Sequence, residues 1–175
     1  MNPSQQPQGS VPRPLEPRGF FTGVQIRPII VGAVVDYIVT NVVILLYLFV
    51  YYIKDPFEKG GSPEEAIEKA LMEMISSQEG ILSLLAIGAL CTLLGGYIAG
   101  RLAKGEEVKH GALVGAVSLI VGIVQAVVAG QESPVAGWYE LLGYVVAIPA
   151  GALGGSFAQG KAKLSIPGSS RRFHV

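Results

Sequence analysis

Residues 28–53 read PIIVGAVVDYIVTNVVILLYLFVYYI, an apolar run interrupted by the strongly polar side chains of Asp36 and Asn41. The hydrocarbon core of a bilayer is about 30 Å thick, and an α-helix that rises 1.5 Å per residue needs about 20 apolar residues to cross it. The run is long enough for one crossing. It therefore predicts a first membrane-spanning helix over residues 28–53.

Three further segments of the chain have the same apolar character, namely residues 80–100, 111–129 and 136–158. Half of all residues are hydrophobic and 15% are charged, whereas about 25% of residues are charged in soluble proteins. Four such segments in 175 residues leave no length for a separate soluble domain. We expect an all-α membrane protein whose single transmembrane domain, residues 28–160, contains four transmembrane helices.

The basic residues are distributed unevenly between the two sides of this arrangement. Ten of the thirteen Lys and Arg residues fall on the side of the two termini: Arg13, Arg18, Arg27, Arg101, Lys104, Lys109, Lys161, Lys163, Arg171 and Arg172. Cytoplasmic segments of membrane proteins carry an excess of Lys and Arg. We therefore expect a multi-pass protein of the plasma membrane with both termini in the cytoplasm.

Three segments lie outside the predicted spans. Residues 1–27 are rich in Pro, which predicts a disordered cytoplasmic tail, and residues 161–175 form a short basic tail on the same side. Residues 54–79 are an insertion in the first outer loop. The insertion is the one segment outside the membrane that is long enough to carry structure of its own.

Within this insertion the sequence predicts a short amphipathic helix over residues 63–76. Ser62 is a suitable N-cap and Pro63 is suited to the first helical position. Apolar residues recur at helical spacing as one stripe: Ile67, Ala70, Leu71, Met74 and Ile75. Because the rest of the helix surface is acidic, we expect the stripe to rest on protein, either the bundle or a partner, rather than on anionic lipid.

The two halves of the chain show a weak internal repeat. VGAV occurs at residues 31–34 and again at 114–117, and GYIAG at 96–100 is similar to GALGG at 151–155. The matches fall at corresponding ends of corresponding helices. We expect two helical hairpins of the same orientation, related by a pseudo-two-fold axis along the membrane normal.

Small residues at intervals of four along the predicted helices indicate close helix packing. Membrane helices associate through direct backbone contact, since lipid solvates large apolar side chains as well as protein does. The predicted packing residues are Gly96, Gly100, Gly111, Gly115, Gly143, Gly151 and Gly155. Their partners are either the helices of the same chain or a second membrane protein, which includes a homo-oligomer. Gly80, at the predicted membrane edge, is expected to tolerate a larger side chain.

The glycine pattern also carries a resemblance. It consists of GGYIAG at residues 95–100, HGALVGA at 110–116 and GALGG at 151–155. With these three elements the chain resembles the small four-helix integral membrane proteins of prokaryotes whose function is unknown. The resemblance implies the four-helix fold, and it brings no activity, substrate or catalytic residue.

Several polar residues lie inside the predicted spans. Counting equal depths along the helices places Asp36 level with Thr92, Ser118 and the region of Pro149, and a second layer contains Asn41, Gln125 and Tyr144. An acidic residue in a span is rare and marks a functional candidate. Two interpretations remain open, because both layers suit hydrogen bonds between helices and Asp36 also suits a path for protons or cations.

The sequence favours some functional classes over others. A net charge of zero gives no basic surface for nucleic acid, and the spans contain no recognisable catalytic or metal-binding motif, so we expect no enzyme and no cofactor. Cys91 is expected to be an unreactive buried thiol. The first expectation is therefore an accessory, scaffold or self-associating subunit whose partners are the lipid bilayer and another membrane protein. The alternative is a small transporter or a protein that conducts protons or cations through Asp36.

Overall fold

The computed structural model describes residues 22–53, 62–129 and 137–164. They form α1 (Ile26–Leu48), which continues as a π-helical segment (Phe49–Ile53), then α2 (Pro63–Ser76), α3 (Gln78–Leu102), α4 (Glu107–Ala129) and α5 (Gly137–Leu164). The predicted class is confirmed, because α1, α3, α4 and α5 are long and apolar enough to cross a membrane and α2 is the short helix. Most of the predicted Pro-rich tail and of the basic tail lies outside the described residues.

The membrane helices extend beyond the predicted spans at most of their ends. α3 begins after Ser77, whose side chain accepts a hydrogen bond from the Gly80 backbone, and α4 begins at Glu107 instead of residue 111. α5 continues to Leu164. Hydropathy locates only the part of a helix that lies in the apolar core, whereas polar residues at the membrane surface are as compatible with a helix as with a loop.

Contacts between the ends of the helices give the direction of each helix. Gly32 near the start of α1 contacts Gly95 near the end of α3 and Val114 near the start of α4. The start of α4 in turn contacts the end of α5, where Gly111 meets Gly155. The four helices therefore alternate in direction, as two hairpins of the same orientation. We call the bundle end that contains the start of α1 the N-terminal face; α2 lies against the opposite end.

The two hairpins are not equivalent in their surroundings. α5 packs extensively on both α3 and α4, and α3 also contacts α4. α1 contacts α3, and α4 to a smaller extent, but within the described residues it makes no contact with α5. The contacts therefore do not repeat between the hairpins as the expected two-fold axis requires, and α1 is the peripheral helix of the bundle.

Close packing is concentrated where α3, α4 and α5 meet. A Cβ atom added at Gly96 or at Gly111 would overlap the carbonyl oxygen of Gly151, and one at Gly115 would overlap that of Ala147. One turn nearer the N-terminal face, a Cβ at Gly155 would overlap the Glu107 carbonyl. A Cβ at Gly100 would lie 2.8 Å from the Ala158 methyl group. At these positions only glycine allows the observed approach of the backbones.

Two predictions about individual glycines are wrong. A Cβ at Gly143 would meet no atom within 4 Å, because a cavity of about 150 Å³ separates this part of α5 from α3. Gly80 is buried, and a Cβ there would overlap the carbonyl oxygen of Met74 at the sharp turn between α2 and α3. Spacing along one helix does not show where the neighbouring helix diverges.

The short helix α2 begins as predicted, and its buried face matches the predicted stripe at Ala70 and Met74 but not at Ile67 and Leu71. Ser62 caps it by accepting a hydrogen bond from the Glu65 backbone at 3.4 Å. Its buried side chains are Ala66, Ala70 and Met74, which pack around Leu48 at the end of α1. The prediction that Ile67 and Leu71 are buried is wrong, since they are 45% and 43% exposed. The two alanines allow α2 to approach closely, and the apolar stripe alone did not distinguish these adjacent faces.

The glycine contacts predict opposite effects for the same substitution at two positions of α5. Gly151→Ala should lower stability by about 1–3 kcal/mol, as overpacking typically does. Gly143→Ala should leave stability unchanged or raise it, because alanine favours a helix by up to about 1 kcal/mol over glycine. Thermal unfolding of the two purified variants in mild detergent measures the difference. Equal midpoints would contradict the packing described above.

Candidate functional site

The site is centred on Asp36, which lies in α1 and is only 5% exposed. It is ten residues beyond the start of α1, hence about 15 Å into the span. Thr92 of α3 donates to both carboxylate oxygens at 3.3 Å, Ser118 of α4 donates to one of them, and Thr40 donates at 3.4 Å from the next turn of α1. The structure therefore brings together Asp36, Thr92 and Ser118, three residues from three helices.

The Ser118 hydroxyl has two acceptors within reach. It lies beside Asp36 Oδ2 and 3.1 Å from the carbonyl oxygen of Val114. When Asp36 is ionised, the hydroxyl proton is directed to the carboxylate. When Asp36 is protonated, its own O–H can donate to Ser118 Oγ while Ser118 donates to Val114. The arrangement can hold Asp36 in either protonation state without a loss of hydrogen bonds.

Tightly packed residues close the site toward the N-terminal face. A Cβ at Gly32 would lie 2.6 Å from the Gly95 oxygen, 2.8 Å from the Ala99 methyl group and 2.9 Å from Val114. Ala99 and Val114 are fully buried. A solute at Asp36 has no passage past this layer in the observed conformation.

On the other side of Asp36 lies a cavity of about 250 Å³ between α1, α3 and α4. Its polar lining consists of Asp36, Tyr37, Thr40, Asn41, Thr92, Ser118 and Gln125. Asn41 and Gln125 are exposed, and the cavity reaches the surface of the bundle beside them. No Lys, Arg or His occurs among the described lining residues, so Asp36 determines the charge of the cavity.

The predicted second polar layer forms only in part. The Asn41 side chain donates to the Tyr37 carbonyl of its own helix at 2.7 Å. Gln125 lines the cavity, but Tyr144 of α5 does not, and in the described part of the chain no hydrogen bond joins Asn41, Gln125 and Tyr144. Equal depth does not place residues on facing sides of their helices, and α1 does not contact α5. For the same reason Pro149, which is exposed on α5, is not a neighbour of Asp36.

The structure also assigns a role to His110, which lies beside Lys109 at the start of α4. Its side chain is fully buried. Nε2 accepts a hydrogen bond from the Gln25 backbone N–H at 2.8 Å, and Nδ1 lies 2.9 Å from the Glu106 carbonyl oxygen. Because the Gln25 N–H is a donor, Nε2 is the acceptor, and the ring N–H at Nδ1 faces the Glu106 carbonyl oxygen. His110 connects the start of α1 to the start of α4.

The other candidate groups add nothing to the site. Cys91 is buried and free, and among the residues described no three His, Cys, Asp or Glu side chains are grouped so that they could hold a metal ion. Lys109 forms an ion pair with Glu106 at 3.0 Å on the surface. Within the described structure, Asp36 and the cavity beside it are therefore the candidate functional site.

Comparison with known proteins gives no match: no protein-family model, no curated protein and no solved structure is similar to this chain. The resemblance to small four-helix membrane proteins of prokaryotes stays a prediction. The function has to be argued from the geometry of the Asp36 site alone.

Proposed function

We propose that this chain is a small membrane transporter or cation-conducting protein that binds a proton or a cation at Asp36 and catalyses no reaction. The observation that supports this proposal is the cavity, since a carboxyl group that only links helices needs no space beside it. The sequence favours an interacting subunit first. The position of the cavity next to Asp36 now favours the transport function.

The energetics of Asp36 point in the same direction. An acidic residue near the centre of a bilayer costs about 2.5–3.5 kcal/mol on insertion scales. Hydrogen bonds from three hydroxyl donors, at about 0.6 kcal/mol each, would offset about 2 kcal/mol of this insertion cost. A neutral residue would link the helices at lower cost. The negative charge of a carboxyl group and its ability to exchange a proton explain its presence at this position.

The closed layer at Gly32 sets the direction of access in this proposal. A solute enters through the opening beside Asn41 and Gln125, which lies on the side of Asp36 away from the N-terminal face. Release at the N-terminal face requires Gly32 to separate from Gly95. Since α1 is the peripheral helix, movement of α1 relative to α3 and α4 is the conformational change that the architecture allows most directly.

Transport through Asp36 predicts a specific loss of flux in reconstituted vesicles. Wild-type protein should dissipate an imposed proton or cation gradient, and Asp36→Asn should abolish this flux, because asparagine preserves the size of the side chain but carries no charge. Glu79→Gln is the matched control, as Glu79 is an exposed acidic residue in the first turn of α3. The assay is the decay of a pH-sensitive or cation-sensitive dye signal inside the vesicles.

Equal flux in wild type and Asp36→Asn would defeat the proposal. So would the absence of any flux above that of empty vesicles for protons and for every inorganic and organic cation tested, provided that gel filtration shows both proteins to be folded. The Glu79→Gln control should retain the wild-type flux, which would show that the loss of an acidic residue elsewhere does not by itself alter the flux.

The membrane and its orientation form part of the same proposal. We propose the plasma membrane of a prokaryote with both termini in the cytoplasm, which is supported by the ten basic residues on the side of the termini. In a Cys91→Ala background, single cysteines at Ser10, Lys104 and Ser169 should be protected from an impermeant thiol reagent in intact cells. A cysteine at Ser62 should react. Labelling at Lys104 from outside would reverse the orientation.

A second candidate function has one specific observation in its favour. α2 leaves Ile67, Leu71 and Met72 exposed at 45%, 43% and 54%, although its other apolar face is already buried on the bundle. An accessory or scaffold subunit, or a self-associating one, would use this second face to contact a membrane protein.

Substitution of the exposed face tests the second candidate. Ile67→Ser together with Leu71→Ser should remove a co-purifying partner, or a second copy of the chain, while the stability of the isolated protein stays the same. Glu64→Gln with Glu68→Gln on the exposed acidic surface is the control. Detergent purification at equal expression levels, followed by gel filtration, gives the readout. If the acidic variant alone loses the partner, the contact surface is the charged one and the apolar face has no such role.

A further inference from the structure

A second, apolar groove of about 440 Å³ lies on the lipid-facing side of the bundle between α1 and α4. It extends along residues 29–37 of α1, about 12 Å at 1.5 Å per residue. Ile30 and Val34, which line it, are more than 40% exposed. The groove therefore faces the region that lipid chains occupy.

The groove lies directly beside the polar cavity around Asp36. Both are lined by Ala33 and Tyr37 of α1 and by Val117 and Val121 of α4. The shared wall places an apolar channel for a chain directly beside a carboxyl group. The combined space is polar at the level of Asp36 and apolar from there toward the N-terminal face.

We propose, on the basis of the transport function above, that the cation taken at Asp36 is amphiphilic: a protonated amine or ammonium head beside the carboxylate and one alkyl chain in the groove. Such a ligand enters sideways from the bilayer, between α1 and α4. It does not have to pass the closed layer at Gly32.

The sizes of the two spaces support an organic ligand. Sites for small organic molecules usually enclose about 300–1,000 Å³. The polar cavity alone, at about 250 Å³, is smaller than this range. The cavity and the adjoining groove of about 440 Å³ together have a volume within the range. A bare inorganic ion would leave the groove without a role.

The charge of the lining side chains determines which kind of head group can bind. Asp36 is the one acidic side chain among the described lining residues, and no basic side chain accompanies it. An anionic or phosphate head would be repelled from it. Tyr37 borders both spaces, and an aromatic ring attracts an ammonium group through its face.

Ordinary membrane lipid is the competing occupant of the groove. A phospholipid chain can lie against Ile30 and Val34, but its head group stays at the membrane surface, about 15 Å from the level of Asp36 along α1. Binding of bulk lipid is then independent of Asp36. The two occupants are distinguished by their dependence on the carboxyl group.

Photo-crosslinking of a defined probe tests the proposal with the full chain in lipid vesicles. The probe is dodecylamine with a diazirine near the end of its chain, and mass spectrometry locates the labelled residues. We expect saturable labelling near Ile30 and Val34, displaced by excess dodecylamine but not by dodecanol, which lacks the charge. Asp36→Asn should reduce the saturable labelling about tenfold or more.

A second pair of variants tests the groove without altering the carboxyl group. Val34→Trp fills the groove and should reduce labelling to a similar extent. Val42→Trp, at an equally exposed position of α1 that lines neither space, should leave it unchanged. Both sites face lipid, so neither variant disturbs the packing of the bundle.

The outcomes separate this inference from the transport function. Labelling that does not saturate, or that is equal in Asp36→Asn, shows lipid-phase contact and overturns the amphiphile. Asp36-dependent flux of inorganic cations without saturable labelling contradicts the binding of an amphiphilic cation but still supports the transport function. Saturable, Asp36-dependent labelling without flux of protons, inorganic cations or dodecylamine supports the amphiphile site and overturns transport.

Discussion

Direct contact between the backbones of α3, α4 and α5 is the interaction on which the rest of the structure depends. In a bilayer the association of helices has no hydrophobic driving force and relies on close approach. Gly96, Gly111 and Gly151 provide that approach, each at a position where a Cβ would overlap a neighbouring carbonyl oxygen. Three helices joined in this way leave the fourth, α1, outside. Because α1 packs on α3 and α4 along its length but makes no contact with α5 in the described structure, space remains beside it, and both the polar cavity and the apolar groove lie there.

The attachment of α1 explains why Asp36 can serve structure and function together. α1 is held at its start by the Gln25–His110 hydrogen bond, in the next turns by the Gly32–Gly95 contact, at its middle by Asp36 and at its end by α2 around Leu48. The Asp36 attachment depends on hydroxyl groups that a bound cation would compete with. In the proposed transport function, ligand binding therefore weakens the link between α1 and the bundle at the site itself. A ligand shifts a conformational equilibrium only through such differential contacts.

The sequence predicted those features that depend on depth and on composition. Hydropathy located the four long helices, and the count of residues along each span placed Asp36 level with Thr92 and Ser118, with which it forms hydrogen bonds.

Features that depend on the rotation of a helix about its axis were not predictable in the same way. Tyr144 has the expected depth but belongs to α5, which does not contact α1, and Gly143 has the expected spacing but faces a cavity. α2 buries its alanines instead of Ile67 and Leu71 for the same reason, since one apolar stripe is compatible with more than one contact face. His110 was missed as a buried residue, although the apolar sequence that follows it, GALVGA, indicates a helix that is already packed.

The most direct test of the central claim is an infrared titration of the Asp36 carboxyl group in reconstituted protein. The claim is that Asp36 adjoins a cavity that opens beside Asn41 and Gln125, so that its proton exchanges with bulk water. The account predicts a carboxylic acid C=O band that is absent in Asp36→Asn, shifts when H₂O is replaced by D₂O, and disappears as the pH is raised. A band assigned to Asp36 that neither shifts in D₂O nor responds to pH would contradict the account, because it would show a carboxyl group sealed inside the bundle.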